Sequence, residues 1–156
     1  MTQKRSAGLL LYRIGPDGGP EVLLGHMGGP FWEHRDAGAW SIPKGEYGPD
    51  EAPQDAARRE FEEELGLPAP GGPYLPLGEV RQTNGKLVTA WAVAADLDPA
   101  RMRPGTFTME WPPGSGLTGE FPELDRAAWF TPEAARGVLV KAQTVFLDRL
   151  AEHLAG

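Results

Sequence analysis

The chain has 156 residues, 40% of them hydrophobic and 24% charged, which suits a soluble globular protein with one core and a single domain over residues 1–156. It has no cysteine, which excludes disulfides, a thiolate zinc site and a cysteine nucleophile. A net charge of −7 argues against an extended nucleic-acid backbone as partner, but not against a small phosphate compound whose charge a metal ion offsets.

Residues 6–14 and 21–26 read as strands joined by the turn Gly15-Pro16-Asp17-Gly18-Gly19-Pro20. The apolar run in the first of them is cut short by Arg13, too soon for a membrane span, and no small-residue cleavage site follows. The expectation is a cytoplasmic protein with no membrane partner. Residues 27–38 form a glycine-rich loop carrying Phe31, Trp32 and His34, and residues 39–42 form a short strand. Neither His26 nor His34 nor His153 has metal-ligand spacing, and each reads as a loop or surface residue.

Residues 50–65 read as a helix with Asp50 as N-cap, Pro53 in the first turn and Gly66 beyond the end. Ala57, Phe61 and Leu65 recur every four residues and form an apolar stripe. Glu60, Glu63 and Glu64 share another side, and Glu62 points away. Like charges so placed repel by about 0.2–0.5 kcal/mol per pair, so a cation is expected to neutralise them. Hard divalent ions bound through oxygen suit that role. Arg59 stands four residues before Glu63, close enough to pair with it.

Residues 77–83 and 86–96 read as strands around Asn84-Gly85, a strong hairpin signal. Residues 106–111 and 126–131 read as two more strands. Thr131 then caps a helix with Pro132 at its first position, running to about His153 with an apolar face of Val138, Leu139, Ala142, Val145, Phe146 and Leu150. The pattern predicts an α/β or α+β fold with a mixed sheet covered on both faces.

Gly45, Glu51, Arg59, Glu60, Phe61, Glu63, Glu64, Gly66 and Leu67 reproduce a spaced signature of 23 residues. It resembles the signature of the Nudix hydrolases at every fixed position. The resemblance implies an α/β/α sandwich and metal-dependent hydrolysis of a phosphoanhydride in a nucleoside diphosphate linked to another group. It implies Mg²⁺, with Mn²⁺ as a substitute, held by Glu60, Glu63, Glu64 and the Gly45 carbonyl, with Arg59 orienting the cluster and Glu51 supporting the loop. Catalytic candidates are Glu60 and Glu64 within the signature and Glu120 or, preferably, Glu123 outside it.

Trp40-Ser41-Ile42-Pro43-Lys44-Gly45 is similar to the lead-in of the diadenosine tetraphosphate hydrolase branch, which implies a dinucleoside polyphosphate and makes Lys44 a phosphate contact. Arg81, Gln82, Arg101 and Arg103 are further candidates for the cleft, and Phe31 and Trp32 could supply a platform for a base. A nucleoside triphosphate pyrophosphatase of the MutT type and a nucleotide sensor without turnover are the competing readings. A homodimer is allowed by the sequence.

Overall fold

The computed structural model describes residues 4–156. Its centre is a mixed sheet. Strands β1 (Arg5–Ile14), β2 (Pro20–Met27), β3 (Trp40–Ser41), β5 (Leu75–Arg81) and β6 (Leu87–Ala94) lie in the order β3-β2-β1-β6-β5. The short strand β4 (Lys44–Glu46) pairs with β1, and β9 (Leu124–Phe130) pairs with β2. β1 runs parallel to β6 and antiparallel to its other partners. Leu9, Leu10 and Leu11 are all buried, because helices cover both faces of the sheet.

Helix α1 (Pro53–Leu65) lies on one face and buries Ala56, Ala57, Phe61 and Leu65 against Leu9, Leu11, Leu23 and Val93. Burial of Phe61 contributes roughly 1.5–3 kcal/mol. Gly66 ends the helix at φ 66°, a left-handed backbone that glycine adopts without strain, and its N–H donates to the Glu62 carbonyl at 2.8 Å. The start differs from the expectation. The N-cap position is Ala52, with no side-chain cap, and Asp50 lies two residues upstream. Pro53 at the first helical position has no N–H to satisfy and its fixed φ suits the helix.

The opposite face is covered by α2 (Pro132–Val138) and α3 (Thr144–Ala155), with Ala135, Leu139, Phe146, Leu147 and Leu150 meeting Leu10, Val22, Leu24 and Leu77. Thr131 caps α2 by accepting from Ala134 N–H at 3.2 Å. One continuous helix to His153 is not what forms. Leu139 turns extended, bridges to Trp40, and Val140 N–H donates to the Trp40 carbonyl at 2.9 Å. That edge pairing with β3 replaces helical bonds, and a 3-10 turn at Lys141–Gln143 restarts the helix.

Strands β7 (Thr106–Glu110) and β8 (Thr118–Pro122) form a separate two-stranded hairpin between the end of β6 and β9. β8 was not anticipated in the sequence. His26, expected near a surface, is fully buried in β2. Among the described residues no helix is long and apolar enough to cross a membrane. This architecture is an α/β/α sandwich.

Candidate active site

A cavity of about 690 Å³ opens between α1, β4, the turn after β5 and the segment joining β8 to β9. It brings together Lys44, Gly45, Glu60, Glu63, Glu64 and Glu123. Lys86, Glu46, Ser6, Gly105 and Thr106 complete its walls.

The strand β4 puts Lys44 and Gly45 against the helix. Lys44 N–H donates to Glu64 Oε1 at 2.9 Å. Gly45 leaves room that Glu60 fills: a Cβ there would stand 1.9 Å from Glu60 Oε2. Arg59 gathers the acidic face. Its Nε and Nη2 donate to both oxygens of Glu51 at 2.8 Å, and Nη1 donates to Glu60 Oε1 at 2.8 Å and to Glu63 at 3.2 Å. Glu51 is thereby pinned to the helix, and its carboxyl is held below the usual range by the Arg59 hydrogen bonds.

Glu123 comes from outside the helix, yet the backbone ties it there. Glu63 carbonyl accepts from Gly105 N–H at 3.1 Å, and Gly105 carbonyl accepts from Glu123 N–H at 2.8 Å. Two hydrogen bonds thus link the two walls of the cavity.

The carboxylates are held at an electrostatic cost. Burial pushes Glu64 up to about 8, against the Lys44 N–H bond and the Lys44 charge, with Glu123 and Glu60 adding repulsion. Burial also raises Glu60, opposed by Arg59, and partial burial with the Glu63 charge raises Glu123. Burial lowers the Lys44 ammonium, against the pull of Glu64.

Hard oxygen donors on one wall, with Glu60 and Glu64 held against the cost of burial, fit a hard divalent cation. Among the described residues no three acidic or histidine side chains already converge on one point in ligating geometry. Glu60 and Glu63 are turned toward Arg59 and Glu64 toward the Lys44 amide.

A second cavity of about 220 Å³ continues from the first, sharing Lys44, Glu64 and Glu123. Met27, Trp32, Phe107 and Leu124 make it apolar and aromatic. Trp32 therefore faces the cleft, while Phe31 is exposed and packs edge-on against Trp32 and under Arg35. Phe107 comes from the hairpin β7–β8, whose alternating pattern flanking a Pro- and Gly-rich loop was the available signal.

Other candidates fall elsewhere. Arg81 stands outside both cavities, its guanidinium donating to the Gly85 carbonyl at 3.3 Å. The cation the hairpin presents to the cleft is Lys86, paired with Glu46 at 2.8 Å. Gln82 is buried behind the site, accepting from Gln143, which also binds Ser41 and Ile42. Glu120, Arg101 and Arg103 also lie outside the two cavities.

The sequence profile of the NUDIX domain matches residues 2–150. The chain is 45% identical over 64 residues to a Mycobacterium tuberculosis protein named "Putative 8-oxo-dGTP diphosphatase 3", a stretch covering 41% of this chain. That match spans 28% of the length of the curated relative. In fold it is similar to a C. elegans Ap4A hydrolase binary complex, with TM-score 0.67, 22% identity and coverage of 97% of this chain and 98% of the other. It is also similar to RenU, a Nudix hydrolase from M. smegmatis, with TM-score 0.57, 27% identity and coverage of 98% and 86%.

Proposed function

This chain belongs to the NUDIX family, and on that premise we propose that it is a pyrophosphohydrolase. It cleaves a phosphoanhydride bond in a nucleoside diphosphate linked to another moiety, with a mono- or dinucleoside polyphosphate as substrate. One observation carries the reading. The carboxylate-lined cavity, with Lys44 and Lys86 on its walls, runs directly into the aromatic compartment of Trp32 and Phe107. A phosphate chain suits the first space and a flat base the second.

Glu60, Glu63, Glu64 and the Gly45 carbonyl would hold Mg²⁺, with Mn²⁺ as a substitute. When bound, such an ion supplies positive charge to an anhydride that its own negative charge otherwise protects. The remaining work falls to the chain. Arg59 keeps Glu60 and Glu63 on one side of α1. Lys44 offers its ammonium to a phosphate oxygen as a point charge. Glu123 takes a proton from the attacking water, a role its raised basicity suits, with Glu60 and Glu64 as the inside alternatives.

A second reading has a specific support. The 64-residue likeness to a protein named for 8-oxo-dGTP favours a nucleoside triphosphate substrate, whereas the Pro43-Lys44-Gly45 lead-in favours a dinucleoside polyphosphate. The deciding experiment is product analysis of diadenosine tetraphosphate, ADP-ribose and the common triphosphates with Mg²⁺ in heavy-oxygen water. Cleavage of any one identifies substrate and bond. Tight binding without turnover in Mg²⁺ or Mn²⁺ replaces the hydrolase with a sensor.

A further inference from the structure

His26 is fully buried, yet both its ring nitrogens are engaged. Nε2 lies 2.6 Å from the Arg35 carbonyl and Nδ1 lies 2.9 Å from Asp125 Oδ1. Both partners are acceptors, and each lies within hydrogen-bond distance of one ring nitrogen. Around it, Trp40 meets the ring edge-on at 5.2 Å and donates its indole N–H to Asp36 at 3.1 Å. Arg126 lies over the Trp40 ring and 3.5 Å from Asp36. The loop between β2 and β3 is thus fastened to β9 through polar groups beneath it.

The register explains how Asp125 reaches inward. His26 pairs with Arg126 and Met27 with Leu124, so the ladder skips Asp125. A bulge of this kind re-aims a side chain and bends its strand. The next residues upstream are Leu124 and Glu123, which both line the aromatic compartment. Glu123 carbonyl accepts from Gly28 N–H at 3.0 Å, at the start of the same loop that Arg35 anchors further along. A Cβ on Gly28 would meet the Pro122 carbonyl at 2.0 Å, so the two segments are in close backbone contact.

We propose that His26 is a positioning residue: through Asp125 and Arg35 it fixes the bulge that aims Glu123 and the loop that carries Trp32 to the same cleft. The proposal rests on the reading of Glu123 as general base. His26 itself lines neither cavity, so its effect is transmitted through those two partners.

Asp125→Ala is the primary variant, because its side chain, unlike that of the fully buried His26, is partly exposed. His26→Gln is the second. Amide hydrogen exchange, melting temperature, kcat and KM are measured, with Mg²⁺ and diadenosine tetraphosphate or GTP as the probe, whichever is turned over. In Asp125→Ala the Gly28 and Glu123 amides exchange at least tenfold faster while those of β1 and β6 do not, and kcat falls about tenfold in folded protein. Added to Glu123→Gln, Asp125→Ala lowers kcat no further, because its effect on the chemical step passes through a group already removed, while KM still rises through the Trp32 loop. Unchanged exchange at Gly28 and Glu123, or a loss of kcat that multiplies with that of Glu123→Gln, overturns the proposal. Wild-type turnover in Glu123→Gln alone overturns the base assignment instead, and the exchange rates still judge the clamp.

Discussion

Arg59 grips Glu51 with two hydrogen bonds of 2.8 Å, Nε to Oε2 and Nη2 to Oε1, and so joins the loop after β4 to the second turn of α1. The fork geometry leaves Nη1 for Glu60 and Glu63. Glu51 has a lowered folded pKa, caused first by the Arg59 bond. A depressed carboxylate contributes stability that is present above its unfolded value of 4.5 and lost as pH falls through the lower folded value. Glu51→Gln therefore melts below wild type at pH 7, and the two melting temperatures converge in acid as pH falls below 4.5 and through the lower folded value. Calorimetry at a series of pH values checks this, and a gap that persists in acid refutes it.

Glu64 has the opposite sign. Its folded value is about 8 against an ordinary 4.5, so the folded protein holds a proton that the unfolded chain has released. That contribution is full below 4.5 and is lost as pH rises to about 8. In chelator, wild type therefore loses melting temperature across this window, and Glu64→Gln, which keeps only the smaller contributions of Glu60 and Glu123, loses less. Adding Mg²⁺ restores wild type at pH 8 and raises the variant, which keeps Glu60, Glu63 and Gly45, by less, while the turnover of the variant falls by about two orders of magnitude or more. Parallel melting curves for both proteins, with and without chelator, would contradict the assignment.

Gly45→Ala tests the close approach of β4 to α1. The added methyl would stand 1.9 Å from Glu60 Oε2 and 2.1 Å from its Cδ. Arg59 holds that carboxylate from the other side at 2.8 Å, so the side chain cannot simply turn away without breaking the bond. The expected result is a rise of at least tenfold in the Mg²⁺ concentration that half-activates the enzyme. Mn²⁺ titration followed by electron paramagnetic resonance measures binding directly, and wild-type affinity there would separate Gly45 from the metal.

Helix α1 was legible because its information is local: a stripe every four residues, a proline near the start, a glycine beyond the end and carboxylates on one remaining side. Its first residue was not, since Asp50 has the chemistry of a cap but Pro53 sets where the helix begins. The cleft opposite the helix was only partly legible. Glu123 and Lys44 could be named, but Lys86, Gly105 and Thr106 reach the cavity through pairings between distant segments. Arg81 and Lys86 show the limit of the hairpin signal. Asn84-Gly85 fixed where the chain turns, yet which cation faces the cleft depends on the pairing of β4 with β1 and on Glu46. The break at Leu139 was invisible for the same reason, because its cause is the edge of β3.

Trp32→Ala and Phe107→Ala probe the aromatic compartment. Stacking of a base on an aromatic ring is worth about 1–3 kcal/mol in other systems. Each variant is expected to raise KM for a nucleotide about tenfold or more and to leave kcat within a few fold. Inorganic tripolyphosphate has no base, so its inhibition constant should be the same in both variants as in wild type. Equal losses for the nucleotide and for tripolyphosphate would show that the rings only support the fold.

Lys44 sits where both cavities meet, with its amide on Glu64 and its ammonium among the carboxylates. Two roles for that ammonium make different predictions. If it only balances buried negative charge, Lys44→Met makes the metal-free protein less stable, and added Mg²⁺ compensates. If it contacts the phosphate chain, KM rises in Lys44→Met even at saturating Mg²⁺, and Lys44→Arg recovers part of the loss. The second outcome is expected, because the backbone N–H rather than the ammonium makes the 2.9 Å bond to Glu64 and leaves the charge available to a ligand. The rise in KM should be about tenfold, smaller than the loss in Glu64→Gln, since the site keeps Lys86 as a second cation. Kinetics at two fixed Mg²⁺ concentrations decide between the two roles, and an unchanged KM at the higher one removes Lys44 from substrate recognition.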